Sequence, residues 1–238
     1  MSGKLYIVPT PVGNLDDMPP RAIEVLKNCN IILAEDTRSS GVLMKHFGIN
    51  TPMYSHHKFN EHESCDSVIN KIKSGEIVAL ISDAGTPGIS DPGFLLSREC
   101  RRNNIVVETL PGPTAFVPAL VNSGLPCDRF TFEGFIPVKK GRATRIKELS
   151  TEPRTFIIYE SPLRLTKTLF DLKEACGDDR EASVSREISK LYDTTHKGSL
   201  LELYNYFNDN PAKGEIVIVV AGANSIQTKK VHQNKYKN

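Results

Sequence analysis

Short apolar runs alternate with amphipathic segments through the first half of the chain. The runs predict buried strands at Lys4–Pro9, Ile31–Ala34, Glu76–Ile81 and Ile105–Leu110. Apolar residues at helical spacing predict helices at Pro19–Asn28, Arg38–Phe47, Glu61–Lys73, Pro92–Arg102 and Pro113–Ser123. Strands that alternate with helices indicate a mostly parallel sheet with helices on its faces. We therefore predict an α/β domain over residues 1–122.

The pattern changes after the polar segment Gly124–Arg129, which we interpret as a linker. Beyond it we predict strands at Phe130–Ile136, Thr155–Tyr159, Glu181–Glu187, Leu191–Lys197 and Glu215–Val220, with helices at Arg142–Leu149, Leu163–Ala175 and Leu200–Phe207. Fewer crossovers imply a mixed sheet, so we predict a second, α+β domain over residues 129–222. The polar residues 223–238 predict a disordered tail.

Composition and charge narrow the class of protein. The 238 residues carry a formal net charge of +2, which excludes a histone-like polycation. The apolar runs are too short to cross a bilayer, and the first residues lack the basic and apolar pattern that predicts a signal peptide. The five cysteines are scattered and form no Cys-x-x-Cys pair, which argues against a disulfide scaffold or a zinc ribbon. These features suit a protein of the reducing cytoplasm.

The segment Ser82–Gly93 (SDAGTPGISDPG) directly follows the apolar run EIVALI. Its glycines and prolines exclude a regular helix or strand, so it is a shaped loop at the carboxyl end of a central strand. Ligands bind at that edge of open α/β sheets. The loops Pro9–Asp17 and Pro111–Ala115 also follow strands and reach the same edge. No dinucleotide fingerprint or P-loop occurs, and a long structural turn is the alternative for Ser82–Gly93.

Charged residues follow three strands. Glu35, Asp36, Thr37 and Arg38 come after IILA, where the carboxylates could position a hydroxyl or accept its proton; the alternative is that Asp36 or Thr37 caps the next helix. In the second domain, YESPLR and REISK end two strands and supply Glu160, Arg164, Arg186, Glu187 and Lys190. A surface ion-pair cluster is the alternative interpretation there.

Basic residues are concentrated within Lys139–Lys147, which contains Lys139, Lys140, Arg142, Arg145 and Lys147. Phosphate contact is the functional interpretation, with Phe132 and Phe135 nearby to stack on bases, and a solvated helix face is the alternative. The three histidines His56, His57 and His62 lack partners at metal-ligand spacing, so we predict no metal site. No Gly-x-Ser-x-Gly motif occurs, which argues against a serine nucleophile.

The motifs LYIVPTPVGNLDD, AEDTR, LISDAGTPGISDPG, LPGPTA, GFIPVKKG, YESPLR and KGEIVIVV occur in this order. The set resembles the tetrapyrrole methylase superfamily of S-adenosylmethionine-dependent methyltransferases. It is most similar to the branch that methylates the ribose 2′-hydroxyl of a decoding-region cytidine in 16S rRNA. The resemblance implies two α/β domains with the cofactor in the cleft between them, a homodimer, and 16S rRNA or the assembled small ribosomal subunit as substrate.

The resemblance also implies roles for individual residues. It places the cofactor against Val12, Gly13, Asp83, Ala84, Gly85, Thr86, Thr114, Ala115 and Tyr159. For the proton of the ribose hydroxyl, our candidates are Asp36, Glu35 and Glu160, with Lys190 or Arg186 to orient a phosphate. The candidate RNA contacts are Lys139, Lys140, Arg142, Arg145 and Arg186. No metal is required for this reaction.

The chain departs from the family pattern at several positions. Leu163 replaces the usual histidine, Asp193-Thr194 a pair of glutamates, and Ser39 a His or Thr. The chain ends soon after GEIVIVV, whereas many relatives continue with a helical extension thought to grip RNA, so we expect Lys139–Lys147 and the tail to carry more of that task. Two alternatives remain: a methyltransferase of this fold that acts on a tetrapyrrole or diphthamide precursor, and a non-catalytic RNA-binding protein.

Overall fold

The computed structural model describes residues 3–57 and 61–223, and the chain forms two compact units. The first unit ends at Ala115 and the second begins at Phe116. The helix assigned from sequence to the first domain, Phe116–Ser123, therefore groups with the second unit. Most of the predicted tail, residues 224–238, lies outside the described residues. Within the described ranges, no helix is both long and apolar enough to span a membrane.

The first unit contains a five-stranded parallel sheet. Its strands are β1 (Lys4–Ile7), β2 (Ile31–Ala34), β3 (Met53–Ser55), β4 (Ile77–Ile81) and β5 (Val106–Thr109), in the order β3-β2-β4-β1-β5. Every neighbouring pair is parallel. The helices are α1 (Pro20–Asn28), α2 (Thr37–His46), α3 (Glu61–Lys73) and α4 (Phe94–Arg102), and Leu15–Asp17 forms a 3-10 turn. This arrangement confirms the predicted fold class.

Helices cover both faces of this sheet, which explains why its strands read as nearly continuous apolar runs. On one face, Leu5, Leu33 and Leu80 pack with residues of α3 and α4. On the other, Ile32 and Ala79 pack with α1 and α2. The core thus holds the central strands in place, and the loops begin at the carboxyl ends of these strands.

Three details of the first half of the chain differ from the sequence predictions. Strand β3 was not predicted, because it is a three-residue edge strand whose side chains are mostly exposed. Helix α4 begins at Phe94 rather than Pro92, and the next helix begins at Phe116 rather than Pro113. In both cases the proline lies in the loop before the helix.

The second unit contains a five-stranded mixed sheet. Its elements are α5 (Phe116–Ser123), β6 (Phe130–Phe135), α6 (Arg142–Ser150), β7 (Thr155–Glu160), α7 (Leu165–Cys176), β8 (Glu181–Arg186), β9 (Thr194–Ser199), α8 (Leu200–Asp209) and β10 (Ile216–Val220). The order is β6-β7-β10-β8-β9, with β6 parallel to β7 and the other pairs antiparallel. Helices α6, α7 and α8 share one core with the sheet, and α5 contacts β7 through β10. The predicted strand Leu191–Lys197 begins only at Thr194, because residues 191–193 form a turn.

Helix α2 contains a glycine that the structure does not require. Within the described residues and beyond its own turn, a Cβ at Gly41 has no heavy atom within 4 Å. Because glycine in a helix interior has high conformational freedom in the unfolded chain, we expect Gly41→Ala to raise the free energy of unfolding by about 0.5–1 kcal/mol. Urea denaturation measures this change, and a decrease would show that the position needs glycine.

Candidate functional site

The loops after β1 and β4 are joined at the carboxyl edge of the first sheet. Thr10 and Gly85 exchange two backbone hydrogen bonds of 2.9 and 3.0 Å, and the Thr10 hydroxyl donates to the Ser82 carbonyl at 3.1 Å. Because Thr10 is buried, this junction is a fixed part of the unit. The two predicted ligand loops are therefore held side by side.

The third loop meets them at Gly85. A Cβ at this position would lie 3.5 Å from the Pro113 carbonyl oxygen and 3.8 Å from both the Thr114 Cα and a methyl group of Val12. The Thr86 hydroxyl also donates to the Pro113 carbonyl at 3.0 Å. Residues from all three predicted loops thus converge within the first unit. Four more of the predicted cofactor residues lie on these loops at least partly exposed: Gly13, Asp83, Ala84 and Ala115.

The Ser82–Gly93 loop has an unusual backbone. Gly85, Gly88 and Gly93 have φ of +78°, +85° and +130°. Ser90 also adopts a positive φ, of +68°, which is uncommon for a residue with a Cβ. Such strain is concentrated at functional sites in proteins. This geometry favours the ligand-loop interpretation over a simple structural turn.

Glu35 lies at the end of β2, beside the loop after β4. The half-buried Glu35 carboxylate lies near the backbone N–H of Asp83, which favours its ionised form. Burial, followed by the nearby charge of Asp83, raises the pKa of Glu35 above its ordinary value. The Asp83 carboxylate in turn accepts a hydrogen bond of 2.7 Å from the Ser39 hydroxyl. Glu35 is therefore a stronger proton acceptor than an exposed glutamate.

Asp36 caps helix α2, which is one of the two interpretations that its sequence position allowed. Its carboxylate accepts the Arg38 backbone N–H at 2.8 Å and binds the Arg38 guanidinium at 2.8 and 3.1 Å. These hydrogen bonds to Arg38 lower the pKa of Asp36 to about 2. A carboxylate with so low a pKa is a weak base near neutral pH.

Glu160, at the end of β7, is enclosed by hydrogen-bond donors. Its side chain is 0% exposed and binds the Arg164 guanidinium at 2.7 Å. It also accepts the Ser161 backbone N–H at 2.7 Å and the Thr168 hydroxyl at 2.6 Å. The neighbouring Tyr159 ring contacts Phe132 and Phe135, with ring centroids 5.0 and 5.7 Å away. These contacts favour a positioning role for Glu160 over proton transfer.

Lys190 lies in an ion-pair cluster after β8. Its ammonium group is 3.0 Å from carboxylate oxygens of both Glu187 and Glu215. Glu187 and Ser189 have positive φ, of +51° and +63°. Arg186 lies at the start of this segment, and its buried Nε has no hydrogen-bond partner among the described residues. The structure thus agrees with the ion-pair interpretation for Lys190. The backbone beside this lysine has positive φ at Glu187 and Ser189.

The predicted basic residues separate into two groups. Lys139 and Lys140 are exposed, and neither forms an ion pair with any described residue. Arg142 is buried and bound to Asp171, and Arg145 is bound to Glu133 and Glu148. The charges of the two arginines are therefore paired with carboxylates of the second unit.

The histidine segment shows a local hydrogen bond. His56 is buried, and its Nδ1 is 2.9 Å from the Ser64 hydroxyl. The side chain of His62 lies outside the described residues. Among the residues that the structure describes, no three His, Cys, Asp or Glu side chains form a group that could hold a metal ion.

Sequence reasoning missed Thr168 and Asp171. Both are on α7 and bind residues of other elements: Thr168 binds Glu160 and Arg142, and Asp171 binds Arg142. Both lie on the side of α7 that faces α6 and β7. A threonine and an aspartate within a helix do not indicate from sequence which residues they bind.

The family model of tetrapyrrole (corrin/porphyrin) methylases matches residues 4–204, so the chain belongs to this family. Solved structures agree in fold. Uroporphyrin-III-C-methyltransferase from Thermus thermophilus is 20% identical with a TM-score of 0.65, over 93% of this chain and 95% of that one. The methyltransferase CobJ is 18% identical with a TM-score of 0.69, again over 93% and 95%.

Curated relatives are much more similar in sequence. The ribosomal RNA small subunit methyltransferase I of Synechocystis sp. is 47% identical, over 93% of this chain and 80% of the relative. The protein of the same name from Escherichia coli O157:H7 is 46% identical, over 92% and 78%. The predicted family resemblance is therefore confirmed.

Proposed function

We propose that this protein transfers a methyl group from S-adenosylmethionine to small-subunit ribosomal RNA, at the ribose 2′-hydroxyl of a cytidine. The observation that carries the proposal is the 47% identity, over nearly the whole chain, to a relative named ribosomal RNA small subunit methyltransferase I. The uroporphyrin methyltransferase shares the fold at only 20% identity, and fold alone does not assign a substrate.

The first unit offers groups that fit S-adenosylmethionine. Gly85 leaves open the space where a Cβ would approach Pro113 and Thr114, so a ligand can lie close to the backbone. The exposed Asp83 carboxylate is suited to the ligand's ammonium or ribose hydroxyl groups. We propose that Val12, Gly13, Asp83–Thr86, Thr114 and Ala115 hold the cofactor; for Tyr159 a cofactor contact stays a prediction. When bound, the cofactor supplies a methyl group on a positively charged sulfur.

We propose Glu35 as the group that accepts the proton of the ribose hydroxyl. It lies at the carboxyl edge of the sheet, where the three loops begin, and its burial makes it more basic than Asp36, which Arg38 holds in its ionised form. Glu160 is enclosed by donors and is less suited to this task. Positioning of the hydroxyl in line with the methyl group supplies much of the remaining rate.

We propose that Lys139 and Lys140 contact RNA phosphates. Both are exposed on the loop between β6 and α6, and Phe135, at the start of this loop, is 55% exposed and available to stack on a base. Arg142 and Arg145 begin the adjacent helix but are bound to carboxylates, so their part in RNA binding is to hold this loop. Arg186 remains a candidate to orient a phosphate.

Replacing both lysines tests the RNA contact. We expect K139A/K140A to weaken binding to small ribosomal subunits and to reduce the slope of log K against log salt by about 1.4–1.8, since each lost phosphate contact removes about 0.7–0.9. Filter binding at several salt concentrations measures the slope. K27A/K45A removes the same charge from exposed positions of the first unit and is the control. An equal change in both variants would show a general charge effect and contradict the assignment.

The function itself is tested with tritiated S-adenosylmethionine. Small ribosomal subunits from a strain lacking the modification, naked 16S rRNA and a tetrapyrrole precursor serve as parallel substrates, and labelled RNA is digested to nucleosides. Label in 2′-O-methylcytidine would support the proposal. Label on the tetrapyrrole, or on none of the substrates despite cofactor binding, would overturn it.

A further inference from the structure

A chain of buried hydrogen bonds begins where the lysine loop, residues 136–141, enters helix α6. Arg142 is the first residue of the helix and is 8% exposed. Its Nε donates to Asp171 at 2.9 Å, and its Nη2 donates to the Thr168 hydroxyl at 2.8 Å. Both acceptors are on α7. The end of the lysine loop is thus fastened to α7 by one guanidinium.

The Thr168 hydroxyl continues the chain to a second loop. It is 0% exposed and, while accepting from Arg142, donates to Glu160 at 2.6 Å. The other oxygen of Glu160 binds the Arg164 guanidinium and the Ser161 backbone N–H, each at 2.7 Å. One hydroxyl therefore connects the lysine loop to residues 161–164, which we call the 161–164 loop.

Helix α7 does not need these buried hydrogen bonds in order to pack. Leu165, Leu169 and Leu172 already fix α7 in the core of the second unit. Buried ion pairs contribute little net stability on average, whereas satisfied polar networks define a single arrangement of the groups they join. Since β6 and β7 are parallel neighbours, the two loops leave the sheet at the same edge. The network thus sets the position of one loop relative to the other.

We propose that Thr168 is a positioning residue that couples the lysine loop to the 161–164 loop, so that RNA held at Lys139 and Lys140 is aligned with Tyr159 and the residues after it. This inference rests on the proposed RNA methyltransferase function. Glu160 and Arg142 then act through Thr168, and no proton transfer through them is required.

The test uses Thr168→Val, which keeps the shape of the side chain and removes the hydroxyl. We expect the half-saturating concentration of small subunits to rise about tenfold, with the maximal rate within threefold and the affinity for S-adenosylhomocysteine unchanged. We also expect faster backbone hydrogen exchange in both loops. Thr168→Ser keeps the hydroxyl and should behave as wild type. Thr166→Val is the matched control, because Thr166 is on the same helix and makes one long hydrogen bond of 3.4 Å, to Phe207.

Asp171→Asn acts from the other end of the network and provides a second variant if Thr168→Val folds poorly. It should raise the half-saturating concentration and the exchange of the lysine loop in the same direction. An unchanged lysine loop in Thr168→Val, or equal effects in Thr166→Val, would overturn the coupling. So would a lower melting temperature with unchanged kinetics. If wild type methylates no ribosomal substrate, the proposed function fails, and hydrogen exchange alone then decides whether the loops are coupled.

Discussion

Glu35→Gln should lower the maximal rate of methyl transfer by about 10²–10⁴-fold, the range typical of losing a general base. The amide keeps the size of the side chain but cannot take the proton of a ribose hydroxyl. Affinity for S-adenosylhomocysteine and for small subunits should change little, because glutamine keeps the size of the side chain and an acceptor oxygen beside the Asp83 backbone. Single-turnover rates at saturating substrate measure the effect directly.

The pH dependence of turnover gives a second signature of Glu35. Because burial raises its pKa, the carboxylate gains a proton at a higher pH than an ordinary glutamate does as the solution is acidified. The rate should therefore be constant above this pKa and fall below it, and Glu35→Gln should lack this acidic decline. Because the pKa of Glu35 is higher in the folded state than in the unfolded state, its contribution to the free energy of unfolding is present at low pH. This contribution is lost as the pH rises through the folded-state pKa. The substitution should thus not reduce the free energy of unfolding at neutral pH.

Asp36→Asn is the matched control for this experiment. Asparagine retains the capping of helix α2, and the low pKa of Asp36 makes it a poor base, so its turnover should remain within a few-fold of wild type. If Asp36→Asn loses activity while Glu35→Gln does not, the assignment of the base is reversed. If neither variant loses activity, the proton is transferred to solvent or to another group.

The central strands and the fold class of the first unit could be predicted because helices cover both faces of its sheet. Their sequences, such as IVALI in β4, must then be apolar throughout. Strand β3 gives no such signal, because it lies at the sheet edge with exposed side chains. The unit to which helix α5 belongs could not be predicted. Its apolar pattern predicts a buried face but does not specify which unit covers that face.

The candidate site was predictable to the extent that topology determines it. Parallel strands end at one edge, so the loops carrying Val12, Gly85 and Thr114 had to lie near one another. The partners of Arg142 and Glu160 were not predictable, because they depend on which side of α7 faces these residues and on how deeply they are buried. A basic residue in a charged segment looks the same in sequence whether it is exposed, as Lys140 is, or buried.

Gly85→Val should abolish most cofactor binding, with a dissociation constant for S-adenosylhomocysteine raised more than tenfold. The position has φ of +78°, which a β-branched residue adopts only with strain. The backbone strain should also lower the free energy of unfolding by about 1–3 kcal/mol. Isothermal titration calorimetry measures the affinity, and urea denaturation measures the stability.

Gly41→Ala and Gly85→Ala separate the two effects of adding a side chain. The first places a methyl group in open space on a helix and should stabilise the protein without altering cofactor affinity. The second should weaken binding and stability together, because Gly85 combines a positive φ with two neighbouring loops, whose atoms would lie 3.5–3.8 Å from the added Cβ. Wild-type affinity in Gly85→Val would mean that the convergence of these loops serves the fold alone and that the cofactor lies elsewhere. Lost affinity with unchanged stability would place the cofactor directly against Gly85.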